Sequence, residues 1–154
     1  MILVDKRIRE LVKNKEMIVN FNDERLNSIS YDVVIDKFVL MDMEVEKDEY
    51  VLSANDFVYI KTYESLCMPN DLCCNVVEKN SLMRRGLKVD GPMYQPGHKT
   101  KIFLRVCNLT KHNIILTKGM EIAQLVFMEL SDIPDMTYDM QIDAKYNDED
   151  EFRS

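Results

Sequence analysis

The sequence predicts an all-β barrel or sandwich. Short segments rich in β-branched and aromatic residues recur from Met17 onward, polar or acidic breaks separate them, and little helical pattern is left after residue 14. A chain of 154 residues is expected to bury one core rather than two.

Residues 5–14, DKRIRELVKN, read as a short helix, with Asp5 as N-cap and Ile8, Leu11 and Val12 in one apolar stripe. YDVVI (31–35), KFVLMDMEV (37–45) and DFVYIKTY (56–63) then read as strands. Pro69-Asn70-Asp71 signals a turn, and LCCNVVE (72–78) another strand. KIFLRVC (101–107) alternates cleanly, with Ile102, Leu104 and Val106 facing one way and Phe103, Arg105 and Cys107 the other. IILT (114–117), a Lys118-Gly119 turn and MEIAQLVFMEL (120–130) complete the set. One domain is expected over residues 1–134, with 135–154 as a tail. By composition DAKYNDEDEFRS reads as solvated and disordered. Its DEDE run lacks the central glycine and spacing of a calcium loop.

Charge and cysteine usage narrow the function classes. A net charge of −7 argues against general nucleic-acid binding, which needs an electropositive surface. No apolar run approaches the ~20 residues that span a bilayer. Met-Ile-Leu-Val is followed at once by Asp5-Lys6-Arg7, unlike a signal peptide. Cys67, Cys73, Cys74 and Cys107 form no CxxC pair, and His98 and His112 have no metal-ligand spacing. The expectation is buried structural thiols in a reducing cytoplasm and no metal held by the protein itself. The pattern of the zinc deaminases is absent.

The stretch Lys79–Asn108 concentrates the chemistry. Arg84, Arg85 and Lys88 surround Gly86, and Gly91-Pro92 and Pro96-Gly97 follow. Cations beside glycine on a sheet scaffold suit a phosphate-bearing ligand.

Six segments, in order, resemble the trimeric dCTP deaminase and dUTPase superfamily. MILVDKRIRELV is similar to its MILSDxxIRxL opening, SYDVVID to ASYDLRLG, and NSLMRRGL to RSSLARLGL. YQPGHKTKIFLRVCN resembles IDPGFxGxITLELxN, GMEIAQLVFMEL resembles GMRIAQLVFEEL, and AKYND is similar to the SKYQGQ of the deaminase lid. The resemblance implies a distorted jelly-roll-like β-barrel with a short N-terminal helix, assembled as a homotrimer with nucleotide sites between subunits. It also implies a deoxynucleoside triphosphate ligand, Mg²⁺ carried on its phosphates, and a C-terminal lid over the bound nucleotide.

Carried over by position, the resemblance makes Lys79, Asn80, Ser81, Arg84, Gln124, Lys145 and Tyr146 nucleotide or phosphate contacts, and Tyr94 and His98 the sugar and base pocket. The departures fall on the chemistry. Gln95 stands where a dUTPase has its water-activating aspartate, and Arg105 where a deaminase has its proton-shuttling glutamate. Neither side chain accepts a proton near neutral pH. Loss of a positioned base typically costs ~10²–10⁴ in rate. Arg105 is expected either to attract an anion or to pair with an acidic residue on the neighbouring strand.

Three functions follow as expectations. One is a nucleotide-binding protein without turnover, acting as a regulator, decoy or sequestering protein. Another is an enzyme with a relocated base, Asp90 first and Glu78 second. A third is an interaction protein that binds no nucleotide. The segment between Leu87 and Pro96 is shorter than in typical deaminases, and His98 replaces an aromatic residue on the deoxyribose, which leaves space for a ribose hydroxyl.

Overall fold

The computed structural model describes residues 1–154. Helix α1 (Asp5–Lys15) buries Ile8 and Leu11, as its stripe predicts. Its cap differs from expectation. Val4 holds the extended N-cap position with no side-chain bond, and Asp5 is the first helical residue, accepting from the Lys6 N–H at 2.8 Å.

Ten strands follow: β1 (Ile18–Val19), β2 (Tyr31–Leu40), β3 (Met43–Val45), β4 (Glu49–Leu52), β5 (Phe57–Cys67), β6 (Leu72–Val77), β7 (Leu87–Asp90), β8 (Lys99–Asn108), β9 (Ile114–Thr117) and β10 (Glu121–Glu129). All pairings between them are antiparallel. The main sheet runs β6-β10-β2-β5-β8-β7, with β1 on β5 and β3 on β2, while β4 and β9 form a two-stranded sheet. Backbone bonds of 2.9 and 2.8 Å between Cys74 and Tyr94 tie β6 to the segment leading into β8, which brings the sheet close to a barrel.

The strand boundaries depart most from the sequence reading over residues 31–45; β5 also runs on to Cys67, and β1, β4 and β7 were not read as strands. YDVVI and KFVL are one strand, β2, whose pairing with β5 shifts register between Ile35 and Lys37. KFVLMDMEV is not one strand: it reverses at Met41-Asp42, with φ of 49° and 61°, and pairs back as β3. A two-residue hairpin of type I′ needs positive φ at both central positions, a demand usually met by Asn-Gly and here imposed on Met-Asp. A second short helix, α2 (Asn80–Arg84), lies inside the phosphate-type motif, where no helix was expected.

The inner faces supply the core. Tyr31, Phe38 and Phe127 are its largest fully buried side chains, and Ile102, Leu104 and Val106 of β8 are buried with them. Below Tyr31, Glu64 is completely buried; it accepts from the Val34 N–H (3.1 Å), the Tyr31 hydroxyl (3.2 Å) and Arg25 (3.0 Å).

The tail lies against the barrel rather than in solvent. The Asp148 N–H donates to Lys99 O at 2.7 Å and the Lys101 N–H donates to Glu149 O at 2.9 Å. β7 borders β8 only along 105–108, so the tail covers the other half of that edge. Phe152 packs on Tyr59 (5.0 Å) and Phe103 (5.5 Å). The disorder expected from composition missed this aromatic anchor. No helix is long and apolar enough to cross a membrane.

Candidate functional site

Alternation along β8 turns Phe103 and Arg105 away from the core, onto the face where β7 and the tail meet. There a cavity of about 530 Å³ is lined by Asp90, Tyr94, Gln95, His98 and Arg105, and on the tail side by Tyr138, Tyr146, Glu149 and Phe152. The turn Gln95-Pro96-Gly97-His98 shapes one rim. Its His98 N–H donates to Gln95 O at 3.2 Å and Gly97 has φ of 79°, the residue order a type II turn requires.

Asp90 and Arg105 are direct cross-strand partners. Asp90 Oδ2 accepts from Arg105 Nη2 (2.9 Å) and Nε (3.2 Å), and Lys88 stands 3.5 Å from Oδ1. These cations, Arg105 first, hold the Asp90 carboxyl below the usual carboxylate range. Arg105 therefore pairs with an acidic neighbour rather than presenting a free charge, and Asp90 is a poorer proton acceptor for it.

His98 is buried, and burial pushes its pKa down, leaving it neutral. Its Nε2 lies 2.8 Å from Tyr146 O. A carbonyl only accepts, so Nε2 carries the proton and Nδ1 is left as an acceptor. The imidazole also packs on Tyr138 at 4.1 Å between ring centres. Tyr94 is buried, and its hydroxyl is pushed up by burial and then by the nearby Cys74 and Glu149.

The phosphate-type set does not converge on this cavity within one chain. Lys79 bonds Asp32 Oδ2 at 2.6 Å and Glu121 at 3.1 Å. Gln124 accepts from the Ser30 hydroxyl (2.8 Å) and donates to Glu78 O (3.1 Å). Arg84 donates to Asn80 Oδ1 at 3.1 Å, and Ser81 is exposed. Lys145, in the tail, donates to the terminal Ser154 O at 2.7 Å and lies over the Tyr146 ring. Only Tyr146 of the predicted phosphate group lines the cavity. No group of three or more His, Cys, Asp or Glu side chains is arranged to hold a metal, and all four cysteines are free thiols.

The model of the dCTP deaminase-like family matches residues 33–130. The chain belongs to the dCTP deaminase-like family. A dUMP-forming dCTP deaminase of Halobacterium salinarum is 34% identical over 118 residues, covering 75% of this chain and 60% of that relative. A dUMP-forming dCTP deaminase of Pseudarthrobacter chlorophenolicus is 30% identical over 162 residues, covering 90% and 85%. The chain thus spans only part of some relatives, 53% in the case of the Halorubrum lacusprofundi dCTP deaminase. Among solved structures, the Agrobacterium tumefaciens deaminase superposes with a TM-score of 0.70 at 18% identity, over 82% of this chain and 47% of that one. The EIAV dUTPase gives 0.57 at 21%, over 78% and 88%. These two likenesses concern the fold.

Within the dCTP deaminase-like barrel, sequence reasoning found Asp90, Tyr94, Gln95, His98, Arg105 and Tyr146 of the cavity. It missed Tyr59, Phe103, Tyr138, Glu149 and Phe152. Outward alternation pointed to Phe103, but nothing in an acidic run singled out Glu149 as its buried member.

Proposed function

We propose that this protein binds a pyrimidine nucleoside triphosphate with Mg²⁺ on its phosphates, and that it holds the nucleotide in preference to transforming it. It acts in the cytoplasm as a regulator, decoy or sequestering protein of the nucleotide pool. The observation that carries the reading is the Arg105–Asp90 pair, which stands where the family resemblance puts a catalytic carboxylate. Gln95, at the other family position, offers no base either. Membership in the family and a cavity large enough for a nucleotide support binding.

In this reading the protein is a homotrimer. Lys79, Asn80, Ser81, Arg84 and Gln124 of one subunit face the cavity of the next, which accounts for their separation within a single chain. Residues 1–134 are the barrel and 135–154 the lid. The magnesium is held by the triphosphate and its waters.

One incubation tests the reading: protein in excess, a panel of ribo- and deoxynucleoside triphosphates, Mg²⁺, then chromatography of bound and free ligand. The expected result is retention of a pyrimidine nucleotide recovered unchanged over minutes. Release of pyrophosphate or ammonia at enzyme-like rates overturns it, and no retention at all favours a protein–protein role.

A second reading, an active enzyme with Asp90 as relocated base, is favoured by relatives named for dUMP-forming deamination. It requires Asp90→Asn to abolish turnover while binding persists.

A further inference from the structure

The outer edge of β8 is held by the chain's own tail, and the tail fits that seat incompletely. Between residues 148 and 152 it is held by its backbone, by one lysine and by one ring. The backbone runs parallel to β8 at Thr100 and Glu149. The Asp148 N–H donates to Lys99 O at 2.7 Å, and the Lys101 N–H donates to Glu149 O at 2.9 Å. Lys61 Nζ donates to Asp150 O at 2.8 Å. Phe152 rests on Tyr59 and Phe103, and the half-exposed Phe57 continues the aromatic row 5.6 Å from Tyr59.

What the tail leaves undone is electrostatic. Lys15, Lys99 and Lys101 line a groove of about 330 Å³ beside Asp148 and Asp150. Lys37 and Lys61 line another of about 460 Å³ beside Asp150 and Glu151. None of these lysines forms an ion pair with a tail carboxylate. Lys61 and Lys37 turn to Glu44 instead, at 2.8 and 4.0 Å. A segment that pairs with a strand edge gains affinity from its backbone, and side-chain pockets then select its sequence. Here the selecting groups are cations along the segment and an aromatic row at its end.

We propose that this groove docks an extended acidic segment of a partner protein, carrying an aromatic residue at its end, in place of the tail. The partner adds a parallel strand to the half of β8 that β7 leaves open. Its carboxylates meet the lysines that the tail does not pair, and its ring takes the seat of Phe152. A second copy is the poorer occupant, because its tail brings the same carboxylates at the same spacing. It also competes with a tethered tail whose effective concentration is on the order of 1 mM. Only a segment whose acids reach the lysines displaces that tail. The inference stands on strand pairing and charge, and does not depend on nucleotide binding.

The test uses the full chain and fluorescence anisotropy with three labelled peptides: EDEDEDF, the uncharged QNQNQNF, and EDPDEDF. The proline of the last removes the N–H that corresponds to that of Asp148. Phe152→Ala is expected to bind EDEDEDF at least about tenfold more tightly than wild type, since the competing ring is gone. QNQNQNF and EDPDEDF should each bind at least about tenfold more weakly than EDEDEDF, to this variant and to wild type alike. Adding Lys99→Gln and Lys101→Gln to Phe152→Ala should weaken EDEDEDF by a similar factor. Equal binding of the three peptides overturns the proposal, as does no binding of EDEDEDF to Phe152→Ala. An oligothymidylate bound as tightly as EDEDEDF assigns the groove to nucleic acid and overturns it too. So does sedimentation in which Phe152→Ala takes the wild-type assembly apart, which gives the seat to a second copy's tail.

Discussion

Arg105 sits directly opposite Asp90 on the neighbouring strand, and one carboxylate oxygen receives two of its N–H groups. Both side chains are partly exposed, so the pair fixes orientation more than it adds stability. Arg105→Glu is expected to lower the melting temperature, because it sets like charges across the strands. Adding Asp90→Asn should restore it. The native Asp90 carboxyl is held below its unfolded value, so its contribution is present above the ordinary carboxylate pKa and is lost as pH falls through the folded one. The gap between wild type and Arg105→Ala should accordingly close in acid, as read by denaturant titration.

Glu64 carries the opposite sign. It is wholly buried, and desolvation raises its pKa despite the Val34, Arg25 and Tyr31 bonds. The native state therefore favours the protonated form, and stability falls as pH rises from the unfolded value through the folded one. Glu64→Gln should flatten that slope. Glu64→Ala should cost about 1–3 kcal/mol by leaving the Val34 N–H and the Tyr31 hydroxyl without their acceptor.

At the β2–β3 hairpin the sequence and the backbone disagree. Met41 and Asp42 both sit at positive φ, and Met41 is 97% exposed. Replacing them by Asn-Gly should stabilise the protein by about 1 kcal/mol, visible as a higher denaturation midpoint, because those residues adopt this turn readily.

Lys79 was read from sequence as a phosphate ligand, but within the chain it neutralises Asp32, which is buried and already lacks a partner at Oδ1. Lys79→Ala should therefore destabilise the fold by about 3 kcal/mol in denaturant titrations, independently of any ligand.

The tail is testable through one amide. Phe152→Ala removes the ring packed on Tyr59 and Phe103, and should speed hydrogen exchange at the Lys101 N–H bonded to Glu149 O. Exchange at the inner Leu104 amide should stay as it was.

What could be read beforehand follows from how local each signal is. The alternation of KIFLRVC is a local property, and it placed Ile102, Leu104 and Val106 in the core as the structure does. IILT appears as β9 without change of bounds. The reversal at Met41-Asp42 carried no turn residues, so a period-2 reading ran straight through it. Glu49–Leu52 went unread because it starts inside the charged run EKDEY (46–50), which reads as a break between strands. In the site, family motifs found Tyr94, Gln95, His98 and Arg105, whereas Asp90 was read only as a carboxylate in the segment before Gln95 and lies at the end of β7. Pairing of Arg105 with some acidic residue across strands was one of two expectations; register selects Asp90, and a single strand does not contain its register. Phe152 and Glu149 depend on how a polar segment folds back over fifty residues, and composition carries no such information.

Edge protection is a less obvious property of β8. Over its first half the outer hydrogen-bonding row is covered only by the tail, so whenever the tail lifts, a stretch of open strand is presented to solvent. Such stretches invite pairing with other copies. Here the side chains at Lys99 and Lys101 carry positive charge on that very stretch. That charge opposes edge-to-edge pairing with another copy along this stretch.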